Sequence, residues 1–222
     1  MAQHAHTPDP EVELLSGLYV AVVADVLDRM SLRNQVMEPG MRPVHRFTTV
    51  VGRAATIQAV RSAEILENPY EHELAAVDAM GAGTVAVVNT GGAYDAAVWG
   101  ELLSTRAIQS GAIGAIVDGG VRDLTGLEAL EFPVFAISIS ANDSYGRMQV
   151  VASGEPVVCG GVAVHEGDVV MGDRDGVVVI PAAVAAEVAA EAARKKRKES
   201  LARADLVDGA SAVDVYARHG VL

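Results

Sequence analysis

Three residues between positions 100 and 123 have side chains suited to binding and transforming a small organic acid. Arg122 presents a planar set of donors that can bind a carboxylate through two parallel hydrogen bonds. Asp123 beside it is a hard oxygen ligand of the kind that Mg²⁺ and Mn²⁺ prefer. Glu101 is a second carboxylate that can hold a metal-bound water or move a proton. These side chains indicate metal-assisted or acid–base chemistry if the fold brings them together.

The backbone around Gly100 offers a further binding element. In the segment Gly100-Glu101-Leu102-Leu103, bare N–H groups can point at an anion, because glycine lets the chain approach closely. An Arg-Asp dipeptide taken by itself is most often an ordinary surface ion pair, and glycines are most often only turns. The functional interpretation therefore depends on the elements that hold these residues.

A βαβ unit is predicted over Val85–Asp123. Val85–Asn89 is rich in β-branched residues and predicts a buried strand, and the two glycines that follow soon after predict a turn. Ala96–Ser110 has apolar residues at helical spacing and is followed by Gly111, which is typical of a helix end. Ala112–Val117 predicts a second strand. A right-handed crossover puts the carboxyl ends of both strands at one edge of the sheet, where α/β proteins usually build their sites.

The segment GELLSTRAIQSGAIGAIVDGGVRD, residues 100–123, resembles the RraA-like family. This family contains metal-dependent pyruvate aldolases that act on 4-hydroxy-4-methyl-2-oxoglutarate and 4-carboxy-4-hydroxy-2-oxoadipate, and also the regulator of ribonuclease activity. The family pattern is an acidic residue after glycine, twenty intervening residues and then Arg-Asp, which Glu101 and Arg122-Asp123 reproduce. Pro156–Pro181 resembles a second family segment. The aldolases usually have Asp where this chain has Glu101, so the carboxylate here reaches one methylene further.

The resemblance implies an α/β fold, a swivelling β/β/α sandwich with the βαβ unit at its centre, formed by one domain over residues 1–222. Family members assemble as trimers or dimers of trimers, with sites near subunit interfaces. The C-terminal helices, residues 182–222, are expected to pack on a neighbouring subunit. An acidic residue from the C-terminal helix of that neighbour is expected to complete the aldolase site. Glu191 and Glu199 are both candidates, and the sequence does not distinguish them.

The activity implied by the resemblance is cleavage of a 4-hydroxy-2-oxo acid to pyruvate and a second 2-oxo acid, with oxaloacetate decarboxylation as a side activity. Val85–Asp123 contains no lysine for a Schiff base, so a divalent cation, Mg²⁺ or Mn²⁺, is the expected stabiliser of the pyruvate enolate. By resemblance, Asp123 holds this cation, Arg122 binds the keto-acid oxygens, and N–H groups within Gly100–Leu103 bind the pyruvyl carboxylate. Glu101 is expected to act on a metal-bound water that transfers the proton of the C4 hydroxyl.

Two alternative functions are compatible with the sequence. One is a regulator that binds a ribonuclease or a helicase without catalysis, because a motif can persist after its activity is lost. The other is a lyase for a different 2-oxo acid, such as a sugar acid, which fits the change to Glu101 and the polar loop Ser140–Arg147. A Rossmann dehydrogenase is disfavoured, because neither glycine turn gives G-x-G-x-x-G at the start of a helix.

The composition favours a globular protein of the cytoplasm. Half of the 222 residues are apolar, and no apolar run approaches the ~18–20 residues that a membrane span needs. The 17 basic and 29 acidic residues give a formal net charge of −12, which argues against non-specific nucleic-acid binding. Arg194–Lys198 is the one basic run and is interpreted as a solvated helix face. The single cysteine, Cys159, excludes an internal disulfide and is interpreted as a core residue.

The remaining segments predict short strands flanked by helices. Residues 1–10 are predicted to be a flexible tail, in which His4 and His6 form only a weak metal-binding pattern. Glu71, His72 and Glu73 are interpreted as an exposed first helical turn, because consecutive helical residues point in different directions. Helices are predicted over residues 12–30, 71–80, 125–130, 181–204 and 213–218, one long strand or a hairpin over 47–60, a strand over 132–139, and several antiparallel strands over 150–180.

Overall fold

The computed structural model describes residues 9–222, so His4 and His6 and most of the predicted flexible tail lie outside the described residues. The helices in this range are α1 (Pro10–Ser16), α2 (Val20–Arg29), α3 (Glu71–Asp78), α4 (Glu101–Ser110), α5 (Leu124–Ala129), α6 (Ala185–Val207) and α7 (Ala212–His219), and a 3₁₀ turn covers Ala182–Val184. The strands are β1 (Arg42–Pro43), β2 (Val50–Arg61), β3 (Thr84–Trp99), β4 (Gly114–Val121), β5 (Val134–Ile139), β6 (Met148–Ser153), β7 (Val157–Cys159), β8 (Val162–Val164), β9 (Val169–Asp173) and β10 (Gly176–Ile180).

Eight of these strands form one mixed sheet in the order β1-β5-β4-β3-β2-β9-β10, with β6 paired to β2 beside this path. The four central strands β2, β3, β4 and β5 are parallel to one another, and the flanking pairings are antiparallel. β7 and β8 form a separate antiparallel hairpin. The predicted α/β class and the βαβ unit at the centre, β3-α4-β4, are therefore confirmed.

Helices α3, α4 and α5 cover one face of the sheet. Val77 of α3, Ala107 of α4 and Leu127 of α5 belong to one cluster of buried residues together with Val88 and Val117 of the central strands. Neighbouring residues of the strands point to the opposite face, because successive side chains of a strand alternate. That opposite face packs against the β7–β8 hairpin, in which Cys159 is fully buried as predicted.

A second helical layer covers one face of β9 and β10. Val22 and Leu27 of α2 and Val188 of α6 are buried with Met171 and Ile180 of these strands. β9 pairs with β2, so β9 and β10 connect this part of the helical layer to the central strands. Between residues 9 and 222, no helix is both long enough and apolar enough to cross a membrane.

The prediction that a helix begins at Ala96 is wrong. β3 continues to Trp99, and α4 begins at Glu101. Gly91 and Gly92 have φ values of 65° and 77°, so they bend the strand and shift its register against β4 without ending it. The spacing of the apolar residues after the bend fits a helix as well as a buried strand. The backbone pairing with β4 stabilises the strand conformation there.

The prediction of one helix over residues 12–30 is also wrong, because α1 and α2 are separate. The chain turns after Ser16, and Tyr19 has extended backbone angles of −133° and 154° before α2. The N–H of Val20 at the start of α2 donates to Oδ2 of Asp173 at 2.8 Å, so a residue of β9 caps this helix. The two helices therefore dock on the sheet separately. The apolar periodicity of the sequence continues across the break between them and does not reveal it.

The basic run Arg194–Lys198 differs from its predicted role at one position. Arg194, Arg197 and Lys198 are exposed, as expected of a solvated face, but Lys195 is buried. Its Nζ lies 2.7 Å from Oδ2 of Asp25 and also pairs with Glu199. A buried ammonium group needs such partners because desolvation of an unpaired charge is costly. Lys195 therefore joins α6 to α2.

Candidate active site

A cleft of about 240 Å³ lies where β3 ends and α4 begins. The ends of β3 and β4, the first turn of α4, the start of α3 and the loop after β5 contribute to it. Its lining residues are Tyr70, Glu73, Leu74, Ala97, Val98, Trp99, Gly100, Leu102, Leu103, Arg122, Asp123, Asp143 and Ser144. The cleft thus lies at the carboxyl ends of parallel strands, as the βαβ unit predicts.

The turn from β3 to α4 and the turn from β4 to α5 meet at Gly100 and Asp123. Oδ2 of Asp123 is 3.4 Å from the backbone N of Glu101, which donates to it. A Cβ atom at position 100 would lie 2.6 Å from that same oxygen, so only glycine allows this approach. Asp123 itself has a φ of 61°, a conformation that is uncommon outside glycine and that is often found at functional sites.

Two carboxylates flank the guanidinium of Arg122. Its Nε is 3.6 Å from Oδ2 of Asp123, and its Nη1 is 3.4 Å from Oδ1 of Asp143. The backbone N–H of Arg122 donates to the carbonyl of Trp99 at 3.1 Å, which fixes the end of β4 beside the end of β3. The side chain is 38% exposed, so the guanidinium is held in place and remains open to the cleft.

Asp143 comes from the polar loop Ser140–Arg147, whose role the sequence leaves undecided. The loop is fixed to β3, because the N–H of Ala97 donates to the carbonyl of Asn142 at 2.8 Å. Oδ2 of Asp143 accepts a 2.8 Å hydrogen bond from the hydroxyl of Tyr70. Burial alone would raise the pKa of the Asp143 carboxyl, but the Tyr70 hydroxyl and the Arg122 charge outweigh it and hold this pKa below its ordinary value.

Glu73 is a cleft residue that the sequence reasoning missed. Burial, followed by the negative charge of Asp143, raises its pKa to about 7, and the Arg122 charge opposes this only in part. Its neighbours Glu71 and His72 are exposed, as predicted for this turn, whereas Glu73 is half-buried. The signal was its spacing, since Ala76 and Val77, three and four residues later, are buried on the same face of α3.

The predicted substrate-binding residues Gly100, Leu102, Leu103 and Arg122 and the predicted metal ligand Asp123 all line this cleft. The Glu101 side chain lies differently. A Cβ at Gly126 of α5 would lie 2.5 Å from Cγ of Glu101, so the stem of this side chain packs directly on that glycine. Its Oε1 accepts a 3.2 Å hydrogen bond from the Thr105 hydroxyl, and Glu101 contributes its backbone N–H, not its carboxylate, beside Asp123.

The described side chains could hold a divalent cation only if water supplied most of its ligands. Within residues 9–222, no group of three or more His, Cys, Asp or Glu side chains could hold a metal ion. The Asp123 carboxylate is about half exposed and is a hard oxygen ligand. Mg²⁺ commonly binds through one or two carboxylates and keeps several waters, so Asp123 suits such an ion. No lysine is among the described residues that line the cleft.

Comparison with known proteins identifies the family to which this chain belongs. The family model described as RraA-like, Aldolase/RraA, matches residues 20–179, a range that contains every residue lining the cleft. The chain belongs to the RraA-like family. The family resemblance drawn from residues 100–123 and 156–181 is therefore confirmed.

Proteins similar to this RraA-like chain include some named as putative aldolases and one described as a member of an RNase inhibitor family. A protein of Halalkalibacterium halodurans named "Putative 4-hydroxy-4-methyl-2-oxoglutarate aldolase" is 28% identical over 200 residues, which is 87% of each chain. A protein of Deinococcus radiodurans with the same name is 30% identical over 148 residues, 67% of this chain and 88% of that one. The crystal structure of Streptomyces coelicolor RraAS2, described as an unusual member of the RNase ES inhibitor RraA protein family, is 26% identical with a TM-score of 0.81, covering 89% of this chain and 98% of that one.

The two acidic candidates on the C-terminal helix of this RraA-like chain have different environments. Glu191 is partly exposed and pairs with Arg194 one turn away on α6. Glu199 is more buried, and its carboxylate accepts a hydrogen bond from the Tyr19 hydroxyl and pairs with Lys195. Burial raises the pKa of Glu199, and the charge of Arg203 opposes this rise. Neither residue lines the cleft of its own chain.

Proposed function

We propose that this chain is a divalent-metal-dependent aldolase that cleaves a 4-hydroxy-2-oxo acid, such as 4-hydroxy-4-methyl-2-oxoglutarate, to pyruvate and a second 2-oxo acid. The observation that carries the proposal is the convergence of Arg122, Asp123 and the first turn of α4 at one cleft. Relatives named as aldolases of this substrate support the same reaction class.

The Arg122 guanidinium binds the oxygens of the 2-oxo acid. Cleavage between C3 and C4 leaves a pyruvate enolate, so negative charge grows on the C2 oxygen as the bond breaks. Because Asp123 and Asp143 already hold the guanidinium, it does not need to reorganise when this charge develops. Its interaction with the substrate is therefore stronger in the transition state than in the ground state, which is what accelerates a reaction.

The first turn of α4 binds the pyruvyl carboxylate. The N–H groups at the start of a helix have no partners within the helix and carry the positive end of its dipole. Leu102 and Leu103 line the cleft through this turn, so their N–H groups are the donors we assign to the carboxylate. The Glu101 N–H is already directed to Asp123.

The metal ligand in this proposal is Asp123. Asp123 would hold a Mg²⁺ or Mn²⁺ ion, which would supply the Lewis acid that offsets the negative charge of the enolate. The absence of lysine from the described cleft lining supports this route over a Schiff base. Oxaloacetate decarboxylation passes through the same enolate and is the expected side activity.

The assembly in this proposal is a trimer or a dimer of trimers, with Glu191 or Glu199 of a neighbouring subunit next to the cleft. Leu102 at the cleft is 77% exposed, and Leu74, which also lines it, is 53% exposed. A neighbouring subunit over this region would cover both leucines. The matched variants Glu191→Gln and Glu199→Gln distinguish the two candidates by their pyruvate release.

The test is pyruvate release from 4-hydroxy-4-methyl-2-oxoglutarate and from oxaloacetate, with Mg²⁺, with Mn²⁺ and with EDTA. We expect metal-dependent release that is lost in Arg122→Ala and in Asp123→Ala. Arg106→Ala is the matched control, because Arg106 forms an exposed ion pair with Asp78 and does not line the cleft. The absence of turnover by the folded wild type with either metal would overturn the aldolase proposal.

A second candidate is a regulator that binds a ribonuclease or a helicase. The observation that favours it is the similarity to RraAS2, which is described as a member of an RNase inhibitor family. Retention of a purified ribonuclease by the immobilised protein, without metal-dependent turnover, would support the regulator. A third reading, a lyase for a sugar acid, is supported by Asp143 and Ser144 of the polar loop at the cleft wall.

A further inference from the structure

We propose that Glu73 is the proton-transfer residue of the cleft, taking the proton of the substrate C4 hydroxyl and delivering it to C3. This inference rests on the proposed aldolase function and gives the proton step to a residue outside the Glu101 and Arg122-Asp123 pattern. It replaces Glu101 in the role that the family resemblance implies for that carboxylate.

The positions of the two carboxylates support this assignment. Glu73 lies on the first turn of α3 and lines the same cleft as Arg122 and Asp123. The Glu101 carboxylate instead accepts a hydrogen bond from Thr105, and its stem covers Gly126. Glu73 is therefore the glutamate whose side chain a substrate in this cleft meets.

The surroundings of Glu73 suit a group that both accepts and donates a proton. The cleft wall beside it is apolar, formed by Leu74, Val98 and Leu103, which disfavours the charged form. The other charged and titratable groups of the cleft are Asp143 and Tyr70 on one side and Arg122 with Asp123 at the end of β4. Burial and Asp143 raise the pKa of Glu73 to about 7, while Tyr70 and Arg122 keep the pKa of Asp143 low. Two nearby carboxyls with pKa values pushed apart are typical of acid–base sites.

The proton balance of the reaction needs only one such group. As the C3–C4 bond breaks, its electron pair becomes part of the enolate, and the Glu73 carboxylate takes the proton of the C4 hydroxyl, which becomes a carbonyl. The enolate electron pair then forms a new C–H bond at C3 with the proton held by Glu73. One proton moves from oxygen to carbon, no oxidant or reductant is involved, and Glu73 returns to the carboxylate form.

The experiment isolates the C3 step by following exchange of the pyruvate methyl protons in D₂O by NMR, with Mg²⁺ present. We expect Glu73→Gln to slow exchange by ~100-fold or more, as for loss of a general base, and Glu73→Asp to restore part of it. Glu71→Gln is the matched control, since Glu71 lies on the same helix, is exposed and does not line the cleft. The wild-type rate should rise with pH to a plateau with a midpoint near 7, because the carboxylate is the active form, and Glu73→Gln should lose this dependence.

Pyruvate binding separates the two proposals. Trp99 is the single tryptophan and lines the cleft, so a change in its fluorescence on addition of pyruvate is the readout of binding. We expect Glu73→Gln to bind pyruvate as the wild type does. A wild type that neither binds pyruvate nor exchanges its protons would overturn the aldolase and this inference together. A wild type that exchanges, with Glu73→Gln equally fast at the same pH midpoint or unable to bind pyruvate, would overturn only the role of Glu73.

Discussion

The hydroxyl of Tyr70 donates a 2.8 Å hydrogen bond to Oδ2 of Asp143, and thereby links the chain before α3 to the loop after β5. Asp143 in turn pairs with Arg122 through its other oxygen. Three segments that are far apart in sequence thus fix one guanidinium. The position of Arg122 therefore depends on a tyrosine that lies outside the βαβ unit that carries it.

Tyr70→Phe should destabilise the fold at neutral pH, and this loss should shrink as the pH falls through the pKa of Asp143. The pKa of Asp143 lies below its ordinary value, so this carboxyl contributes stability that is present above that ordinary value and is lost as pH falls through the folded pKa. Loss of the hydroxyl removes one of the interactions that lower this pKa. The unfolding free energy lost by the variant, measured by circular dichroism, should therefore be largest at neutral pH. The exposed Tyr94 provides the control variant Tyr94→Phe, and an equal loss in both variants would contradict the assignment.

Gly100→Ala should displace Asp123. The new methyl group would lie 2.6 Å from Oδ2 of Asp123 and 3.3 Å from Cγ of Arg122, so one of these groups has to move. We expect loss of Mn²⁺ binding, measured by electron paramagnetic resonance, and loss of activity by ~100-fold or more, because such displacements are costly for catalysis. Gly81→Ala is the control, since nothing lies within 4 Å of a Cβ there. Normal metal binding by Gly100→Ala would show that the approach of the two turns is not needed.

Asp9→Asn should destabilise the docking of α1 on β2. Oδ2 of Asp9 lies 2.7 Å from Nε of Arg53, while Oδ1 caps the helix by accepting from the N–H of Val12. Burial alone would raise the pKa of Asp9, but Arg53 and the Val12 N–H lower it to about 2. Asparagine keeps the cap and removes the charge, so roughly 1–2 kcal/mol of unfolding free energy should be lost at pH 7.

The pH dependence of this loss follows from the direction of the pKa shift. A lowered carboxyl pKa contributes stability above its unfolded value near 3.8, and this contribution disappears as pH falls through about 2. Urea unfolding of Asp9→Asn and wild type should therefore converge toward pH 2. Glu13→Gln, on the exposed side of α1, should match the wild type throughout. A constant difference at every pH would mean that the cap, and not the charge, was lost.

Lys195→Met should weaken the packing of α6 on α2. The buried Lys195 ammonium pairs with Asp25 and Glu199, and its removal leaves the Glu199 carboxylate without its cation. A loss of roughly 1.5–3 kcal/mol in unfolding free energy is expected, as for hydrogen bonds to charged groups. Lys198→Met removes an exposed lysine from the same helix and should have little effect. Equal stabilities of the two variants in urea unfolding would contradict the bridging role of Lys195.

The sequence predicts the half of the site that is close in sequence. Gly100, Arg122 and Asp123 belong to one βαβ unit, and parallel pairing of β3 with β4 brings the ends of both strands together. Local patterns of turns and apolar runs are enough to predict this geometry. The error at Ala96 does not disturb it, because the strand–helix boundary moves to Trp99 and Glu101 and the glycine between them keeps its place.

The other half of the site depends on contacts between distant segments. Tyr70 lies just before α3 and Glu73 lies on it, whereas Asp143 belongs to a loop more than sixty residues later. A polar residue that faces the core looks the same in sequence as one that faces solvent, unless the partner segment is known. The direction of the Glu101 side chain also could not be predicted from the sequence, because it depends on the space left by Gly126 on α5.

The layer of α1, α2 and α6 has a consequence for synthesis on the ribosome. α2 emerges early, but its apolar residues Val22, Val23 and Leu27 find their partners on β9, β10 and α6, which ends only at Val207. For most of translation this helix therefore lacks most of its packing partners. The nascent chain must keep this exposed apolar surface from self-association until nearly all of the chain described here has been made. Chaperones that act during translation are suited to protect such a surface.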